Sequence, residues 1–132
     1  TRVRKMFREK PADYMAKAEA VHNAEIYNKH FAISVCSAEG IESPTVIGAQ
    51  AANELLNIIG IKASVVLTRY NDIIYVSARS IDEINVQVMM EKIGGGGHRS
   101  MAGAQIKGMS IENAIKRIKE IISEMIKEGD LL

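Results

Sequence analysis

Residues 90–106 read MEKIGGGGHRSMAGAQI, and four consecutive glycines run directly into a histidine. Glycine loses more conformational freedom on folding than any other residue, so the run Gly94–Gly97 costs stability that other parts of the chain must offset. Either the run is a slack surface loop after a helix, or another backbone or a ligand comes very close to it. One glycine is enough to end a helix, so four favour the second interpretation.

The glycines and their neighbours have a chemistry that suits phosphate. Without Cβ atoms, Gly94–Gly97 can turn several backbone N–H groups toward one point, and such a concavity binds phosphate oxygens. His98 adds a ring N–H, and Arg79, at the end of the segment SARS, adds the planar fork that suits phosphate. Ser80 and Ser100 could also reach such a ligand. The simpler alternative is a helix cap that runs into a solvated loop.

The composition leaves phosphate binding to such local groups. The 132 residues are enough for one domain, 47% of them are apolar, and the net charge is +1. No global field therefore attracts nucleic acid or an anionic membrane.

Cys36 is the only cysteine, which excludes an internal disulfide and favours a reducing cytosol and a buried structural thiol. The chain begins TRVRKMF without an initiator Met, so we expect it to be a piece of a longer protein.

The first half of the chain predicts two helices and a strand. Residues 1–10 are basic and are interpreted as a linker. Residues 13–28 are rich in Ala and Glu and predict a helix, and FAISVC (31–36) alternates like a strand. Ser43–Pro44 begins a second helix, which we expect to end at Gly60. The predicted apolar face of the first helix consists of Tyr14, Ala18, Val21 and Ala24.

The second half predicts a hairpin, two helices and a last strand. The β-branched segments 62–70 and 72–79 are close enough to form an antiparallel hairpin. Asn85 is positioned to cap a short helix, residues 100–108 read as a strand of small residues, and Ser110 caps a long final helix with an apolar stripe. The predicted order is α-β-α-β-β-α-β-α, which implies an α/β fold with a mixed β-sheet flanked by helices.

Several kinds of catalytic site are absent from the sequence. Hydrolysis by paired metal ions needs carboxylates that converge on cations about 3.5–4 Å apart. The four Asp are scattered, and the three His have no acidic partner at ligand spacing. There is no GxSxG elbow, and the glycine run lacks both the Lys of a P-loop and the GxGxxG spacing of a dinucleotide fold. The sequence therefore predicts no metal site, and a domain that is not catalytic by itself.

GGGGHRSMAG resembles the GGGH-x-x-A-A-G signature of the DHHA1 domain, the C-terminal half of DHH-family phosphoesterases. The resemblance implies a DHHA1 substrate-binding domain over residues 31–132, and a basic linker and connector helix over residues 1–30. Within the family, NVQVMMEKIGGGGH and VSARS are similar to the GdpP-type cyclic-di-AMP phosphodiesterases. Met101 departs from the pattern, because the family often has Ala there; a larger side chain could narrow the base pocket.

The resemblance also implies a division of labour. In such proteins the DHH half holds manganese and activates water, while the DHHA1 half binds the substrate. Arg79, with Ser77 or Ser80 beside it, matches the strand arginine that meets the substrate. No catalytic or metal-binding residue is expected in this chain, and its manganese would lie in the missing half. The residues that match the GGGH loop are Gly95, Gly96, Gly97 and His98.

Three functions are expected in order of preference. The first is the substrate-recognition domain of a cyclic-di-AMP phosphodiesterase, inactive without the DHH half. The alternative is a nucleic-acid-binding module of a short-oligonucleotide phosphodiesterase or exonuclease, and the third is a structural or dimerising domain. The expected partners are a cyclic or linear dinucleotide, the DHH half, a short oligonucleotide and a second copy in a homodimer, with no direct membrane contact. The expected location is cytoplasmic, in a parent that the resemblance allows to be membrane-anchored.

Overall fold

The computed structural model describes residues 8–81 and 83–129. The predicted basic linker lies mostly outside the described residues. The helices are α1 (Pro11–His22), α2 (Pro44–Leu55), α3 (Val86–Glu91) and α4 (Ile111–Glu128). The strands are β1 (Glu25–Tyr27), β2 (Phe31–Val35), β3 (Ala63–Tyr70), β4 (Ile73–Ser80), β5 (Gly96–Gly97) and β6 (Met101–Lys107).

The strands form one six-stranded mixed sheet in the order β1-β2-β3-β4-β6-β5. Only the β2–β3 pair is parallel, and α2 is the crossover that connects these two strands. The other neighbouring pairs are antiparallel. The predicted mixed sheet flanked by helices is confirmed.

Helices cover the two faces of this sheet unequally. On one face, α3 and α4 enclose the larger core, in which Ile118, Ile121 and Met89 are fully buried. On the other face, α1 and α2 cover β2 and β3 with a smaller core that contains Ala51 and Val66. We call this second face of the sheet the α2 face. Its part on β4, β6 and β5 extends beyond the two helices.

Local sequence signals account for much of this architecture. The predicted hairpin forms, with Asn71 and Asp72 both at positive φ (52° and 62°) in the two-residue turn that joins β3 to β4. The Asn85 side chain accepts a hydrogen bond from the N–H of Val88 at 3.3 Å and caps α3. Ser110 caps α4 in the same way. These predictions are confirmed. Their hydrogen bonds join residues that are only a few positions apart, so the local sequence is enough to predict them.

The prediction of a helix over residues 13–28 is wrong at its C-terminal end. The helix stops at His22, and residues 25–27 form the edge strand β1, in which Glu25 lies opposite Ile33. Pairing with β2 overrides the helical preference of this short segment. The predicted apolar face is wrong at two of its four residues, since Tyr14 is 61% exposed and Ala18 is exposed, whereas Val21 and Ala24 pack against the smaller core. The side chains of α1 that are buried, mainly beneath α2, are Ala16, Lys17 and Ala20.

Three further expectations need correction. The helix α2 ends at Leu55 rather than at Gly60, because its final hydrogen bonds tighten to a spacing of three residues, as from the N–H of Asn57 to the carbonyl of Glu54. Ser43 occupies the N-cap position, but its side chain makes no capping hydrogen bond. The strand β5 is also new, so the observed order has two more strands than predicted.

Candidate functional site

The four glycines do not form a slack loop. The first two follow the end of α3, and the last two form the first strand of a small hairpin. Gly94 (φ 84°) ends α3, and its N–H donates to the carbonyl of Glu91 at 3.2 Å. The N–H of Gly95 donates to the carbonyl of Met90 at 2.8 Å. The expected convergence of these two N–H groups on a ligand is therefore wrong, because the end of α3 already uses them. The last two glycines are β5, paired with β6.

Close packing explains why two of these four positions lack a side chain. A Cβ atom on Gly95 would lie 2.1 Å from the carbonyl oxygen of Gly103, and one on Gly97 (φ 143°) would lie 2.6 Å from the Cα of Ala102. A Cβ atom on Gly96, in contrast, would meet no heavy atom within 4 Å. Gly96 is therefore the glycine of this run that neither a positive φ nor packing within the described part of the chain explains.

Gly96 belongs to a row of small residues across the sheet. It lies opposite Gly103 of β6, which lies opposite Ser77 of β4 and then Val66 of β3. Residues directly opposite one another share a face of the sheet. Val66 packs beneath α2 in the smaller core, so the row lies on the α2 face. Beyond Val66, this row presents only backbone and the hydroxyl group of Ser77 on that face.

A groove of about 450 Å³ lies over this row. Ser77, Gly103 and Gly95 line it together with Thr45, which stands in the first turn of α2. None of its lining residues is charged. The N-terminal end of a helix carries partial positive charge, so the start of α2 would stabilise an anion in the groove. The lining residues that the sequence analysis missed are Thr45, Tyr75, Val76, Gly103, Ala104 and Gln105.

Some of the missed residues carried a signal in the sequence. Tyr75 alternates with Ser77 and Arg79 along β4, so a strand period of two places all three on one face. Thr45 follows the proline that begins α2, in the first turn of a helix. Gln105, in contrast, reaches the groove only because β6 pairs with β4, which the sequence did not reveal.

Arg79 shares the α2 face with Ser77 and lies opposite Met101. Its Nη1 donates to the carbonyl of Ala78 at 2.8 Å and approaches the carbonyl of Ala102 at 3.5 Å. Its Nε is buried and has no hydrogen-bond partner in the described part of the chain. Burial lowers the pKa of this guanidinium, because the charged form loses solvation. The desolvated guanidinium makes Arg79 a candidate binding residue.

Ser80 lies on the other face of β4 from Arg79. It is buried, and its hydroxyl lies 2.6 Å from the carbonyl oxygen of Ile84 and 3.2 Å from that of Arg99. The structure therefore does not bring this predicted binding residue to the groove. Its hydroxyl instead fixes the segment before α3 and the tip of the β5–β6 hairpin. Of the two serines beside Arg79, only Ser77 lines the groove.

His98 and Ser100 lie in the turn of the hairpin between β5 and β6. The N–H of His98 donates to the carbonyl of Met101 at 2.7 Å, and both predicted residues are exposed. The carbonyl of Ser100 accepts a hydrogen bond from the N–H of Ser80 at 3.0 Å. Both side chains stand at the rim of the site, outside the residues that line the groove.

The described residues also bear on two other kinds of site. Among residues 8–81 and 83–129, no group of three or more His, Cys, Asp or Glu side chains could hold a metal ion. In the same residues, no helix is both long and apolar enough to cross a bilayer. Cys36 is buried, as predicted, and desolvation raises the pKa of its thiol.

Comparison with known sequences identifies the family. The sequence model of the DHHA1 domain matches residues 28–128. The chain is 42% identical over 117 residues to the cyclic-di-AMP phosphodiesterase PdeA of Listeria monocytogenes, a match that covers 88% of this chain and 18% of that protein. It is 34% identical to the cyclic-di-AMP phosphodiesterase GdpP of Geobacillus thermodenitrificans, over 96% of this chain and 19% of that protein. The chain therefore belongs to the DHHA1 domain family.

Other comparisons extend the likeness. The bifunctional oligoribonuclease and PAP phosphatase NrnA of Thermus thermophilus is 34% identical over 55% of this chain and 22% of its own length. An exopolyphosphatase-related protein from Bacteroides fragilis has the same fold, with a TM-score of 0.78 at 18% identity over 92% of this chain and 37% of that one. The chain thus spans about a fifth of these relatives in sequence. The domain boundary at residue 31 stays a prediction, and α1 packs against the rest of the domain.

Proposed function

We propose that the groove on the α2 face binds a nucleotide, and that the chain is the substrate-recognition domain of a cyclic-di-AMP phosphodiesterase of the DHH family. One observation carries the proposal. The row Gly96–Gly103–Ser77 is open, and Gly96 lacks a side chain for no reason within the described fold. A ligand that binds against the sheet would supply the reason. The similarity to PdeA and GdpP supports the choice of that ligand.

The groove has chemistry for both parts of a nucleotide. Its floor of backbone and small side chains lets a flat base or a ribose approach the sheet closely. Arg79 stands two residues from Ser77 on the same face, about 7 Å along the strand, and offers a guanidinium to a phosphate. No carboxylate lines the groove, so the phosphate meets no repulsion from its walls. Tyr75 adds an aromatic ring for contact with the base.

Hydrolysis belongs to a part of the protein that these residues do not contain. We propose that a DHH half of the same protein holds manganese, activates water and closes over the groove. The chain by itself should then bind nucleotides and leave the phosphodiester intact. The cytoplasmic location and the homodimer remain predictions.

Calorimetric titration of the chain with cyclic-di-AMP tests the proposal. Gly96→Ala places a methyl group in the open space beside the groove, and Arg79→Met removes the cation. Each variant should weaken binding at least tenfold, about 1.4 kcal/mol. Ser123→Ala is the matched control, because Ser123 lies on α4, where its hydroxyl contacts that of Tyr27 on β1, away from the groove. Failure of the wild type to bind, or unchanged binding in both variants, would contradict the proposal.

A second candidate function is recognition of short oligonucleotides. The likeness to NrnA over half of the chain favours it, and so does the groove, which is open beside Gln105. Titration with a linear diadenylate in parallel with cyclic-di-AMP separates the two functions. Tighter binding of the cyclic ligand supports the first, and tighter binding of the linear ligand supports the second.

A further inference from the structure

A second concavity, of about 320 Å³, lies where the end of β6 meets the C-terminal end of α3 and the first half of α4. Three cationic residues line it: Lys92 after α3, Lys107 at the end of β6 and Arg117 on α4. None of its lining residues is acidic. We call it the basic pocket. Three positive charges around one small concavity repel each other, and an anion among them would relieve that repulsion.

The cations of the basic pocket are poorly neutralised by the protein. In the described residues, neither Lys92 nor Lys107 has an acidic partner within 4.0 Å. Arg117 approaches Glu124 only at that limit, with 4.0 Å between Nη1 and the carboxylate oxygen. A fourth cation, Arg69, donates from Nη2 to the carbonyl of Met109, which also lines the pocket. The positive charge of this region is therefore available to a ligand.

The basic pocket adjoins the groove at Gln105. Gln105 lines both concavities. On one side Lys92 lines the pocket and Gly94 lines the groove, two residues further along the chain. On the other side, β6 runs from Gly103 in the groove to Lys107 in the pocket. A chain molecule that leaves the groove past Gln105 reaches the cations directly.

The edge of the sheet between the two concavities is also open. β5 pairs with Gly103 and Ala102 only, and Gly95 packs against Ala104, so in the described structure no strand covers the outer edge of β6 from Gln105 to Lys107. An uncovered edge presents backbone N–H and C=O groups. These groups can hydrogen-bond to a ligand that lies along the edge, between the groove and the basic pocket.

From this arrangement we infer that the basic pocket is a second phosphate subsite, which takes the phosphodiester of a linear oligonucleotide extending from the groove past Gln105. The inference rests on the proposed nucleotide site in the groove and names a substrate class for it: linear chains longer than a dinucleotide. Groove and pocket together form one path along β6. The groove holds the terminal nucleotides, and the pocket holds the phosphate that follows.

The test compares linear diadenylate with tetra-adenylate, titrated at 50 and 200 mM salt, on the wild-type chain. Tetra-adenylate should bind about tenfold tighter at the lower salt concentration. Its affinity should also fall more steeply with salt, since each phosphate contact adds about 0.7 to the slope of log K against log salt. In the triple variant Lys92→Gln, Lys107→Gln and Arg117→Gln, this advantage should disappear, while diadenylate binds as it does to the wild type.

A second triple variant, with Lys10, Lys29 and Lys127 changed to Gln, lowers the net charge equally outside both concavities and should keep the advantage. Equal affinities of the two ligands for the wild type would overturn the subsite and leave the groove intact. So would an advantage that survives in the basic-pocket variant, or that the control variant also loses. If the basic-pocket variant also loses diadenylate binding, the pocket is part of the first site, and the inference of a second subsite is overturned. If neither ligand nor cyclic-di-AMP binds, the proposed function fails and the subsite fails with it.

Discussion

Gly95 lies so close to Gly103 that a Cβ atom on Gly95 would be 2.1 Å from the carbonyl oxygen of Gly103, whereas a Cβ atom on the next residue, Gly96, would touch nothing. Neighbouring glycines of one run therefore have different roles. Gly95 permits α3 and β6 to approach each other. Gly96 leaves space on the surface of the sheet.

This difference predicts opposite effects of two alanine substitutions. Gly95→Ala should lower the free energy of unfolding by about 1–3 kcal/mol, because a backbone atom must shift. Gly96→Ala should leave the stability unchanged or raise it by about 0.4–1 kcal/mol, because it only reduces the freedom of the unfolded chain. Urea unfolding of both variants measures the effects. Equal destabilisation would show that Gly96 is also structural.

Arg79→Met should separate stability from binding. The substitution removes a partly desolvated cation whose Nε has no hydrogen-bond partner in the described residues. The free energy of unfolding should therefore change by no more than about 1 kcal/mol, while nucleotide affinity is lost. Arg79→Lys keeps the charge without the planar fork and should bind with intermediate affinity. A large loss of stability in Arg79→Met would instead assign the side chain a structural role.

Cys36 should make the protein less stable at high pH. Burial, assisted by the negative charge of Glu19, raises the pKa of the thiol in the folded state. Above about pH 8.5, where an exposed thiol ionises, the unfolded chain loses a proton that the folded chain retains. Stability should then fall as pH rises through this range, by up to about 1.4 kcal/mol per pH unit from this group.

The measurement is the free energy of unfolding from pH 7 to pH 10 in the wild type and in Cys36→Ala. The variant should show the shallower decline, since the contribution of other groups is common to both proteins. Identical slopes would contradict the assignment. Thiol labelling gives an independent check, because Cys36 should react slowly until the protein unfolds.

The ion pairs of Lys17 and Lys10 should differ in importance. The Lys17 side chain is 7% exposed, and its Nζ lies 2.6 Å from the carboxylate of Glu9. Lys10 pairs with Glu42 in full contact with solvent. Glu9→Gln should lower the free energy of unfolding by about 1–2 kcal/mol, because a desolvated ammonium loses a charged partner. Glu42→Gln should leave the melting temperature unchanged, and thermal unfolding of both variants compares them directly.

Asp72→Gly should stabilise the β3–β4 hairpin. Asn71 and Asp72 both adopt positive φ, which is unfavourable for residues with a Cβ atom and which Asn-Gly accommodates best. The expected gain is up to about 1 kcal/mol in the free energy of unfolding, measured by urea denaturation. Asp72→Ala is the control and should not stabilise the protein, because alanine also disfavours this conformation.

Local chemistry made much of this fold predictable. The hairpin, the Asn85 and Ser110 caps and the apolar stripe of α4 depend on residues close together in sequence, and all were predicted. β1 was missed because three residues of helical preference pair with a distant strand. β5 was missed because two glycines carry no strand signal, and only pairing with β6 orders them.

The candidate site was also predictable only in part. The sequence by itself indicated that the glycine run and Arg79 were unusual, and it showed no metal-ligand or nucleophile motif beside them. Only the tertiary structure decided that Gly94 and Gly95 serve the end of α3, that Ser80 faces away from the groove, and that Gly96 leaves open space. The type of each residue is written in the sequence. The face on which it lies, and the backbone it meets there, depend on strand register and on contacts between segments far apart in the chain.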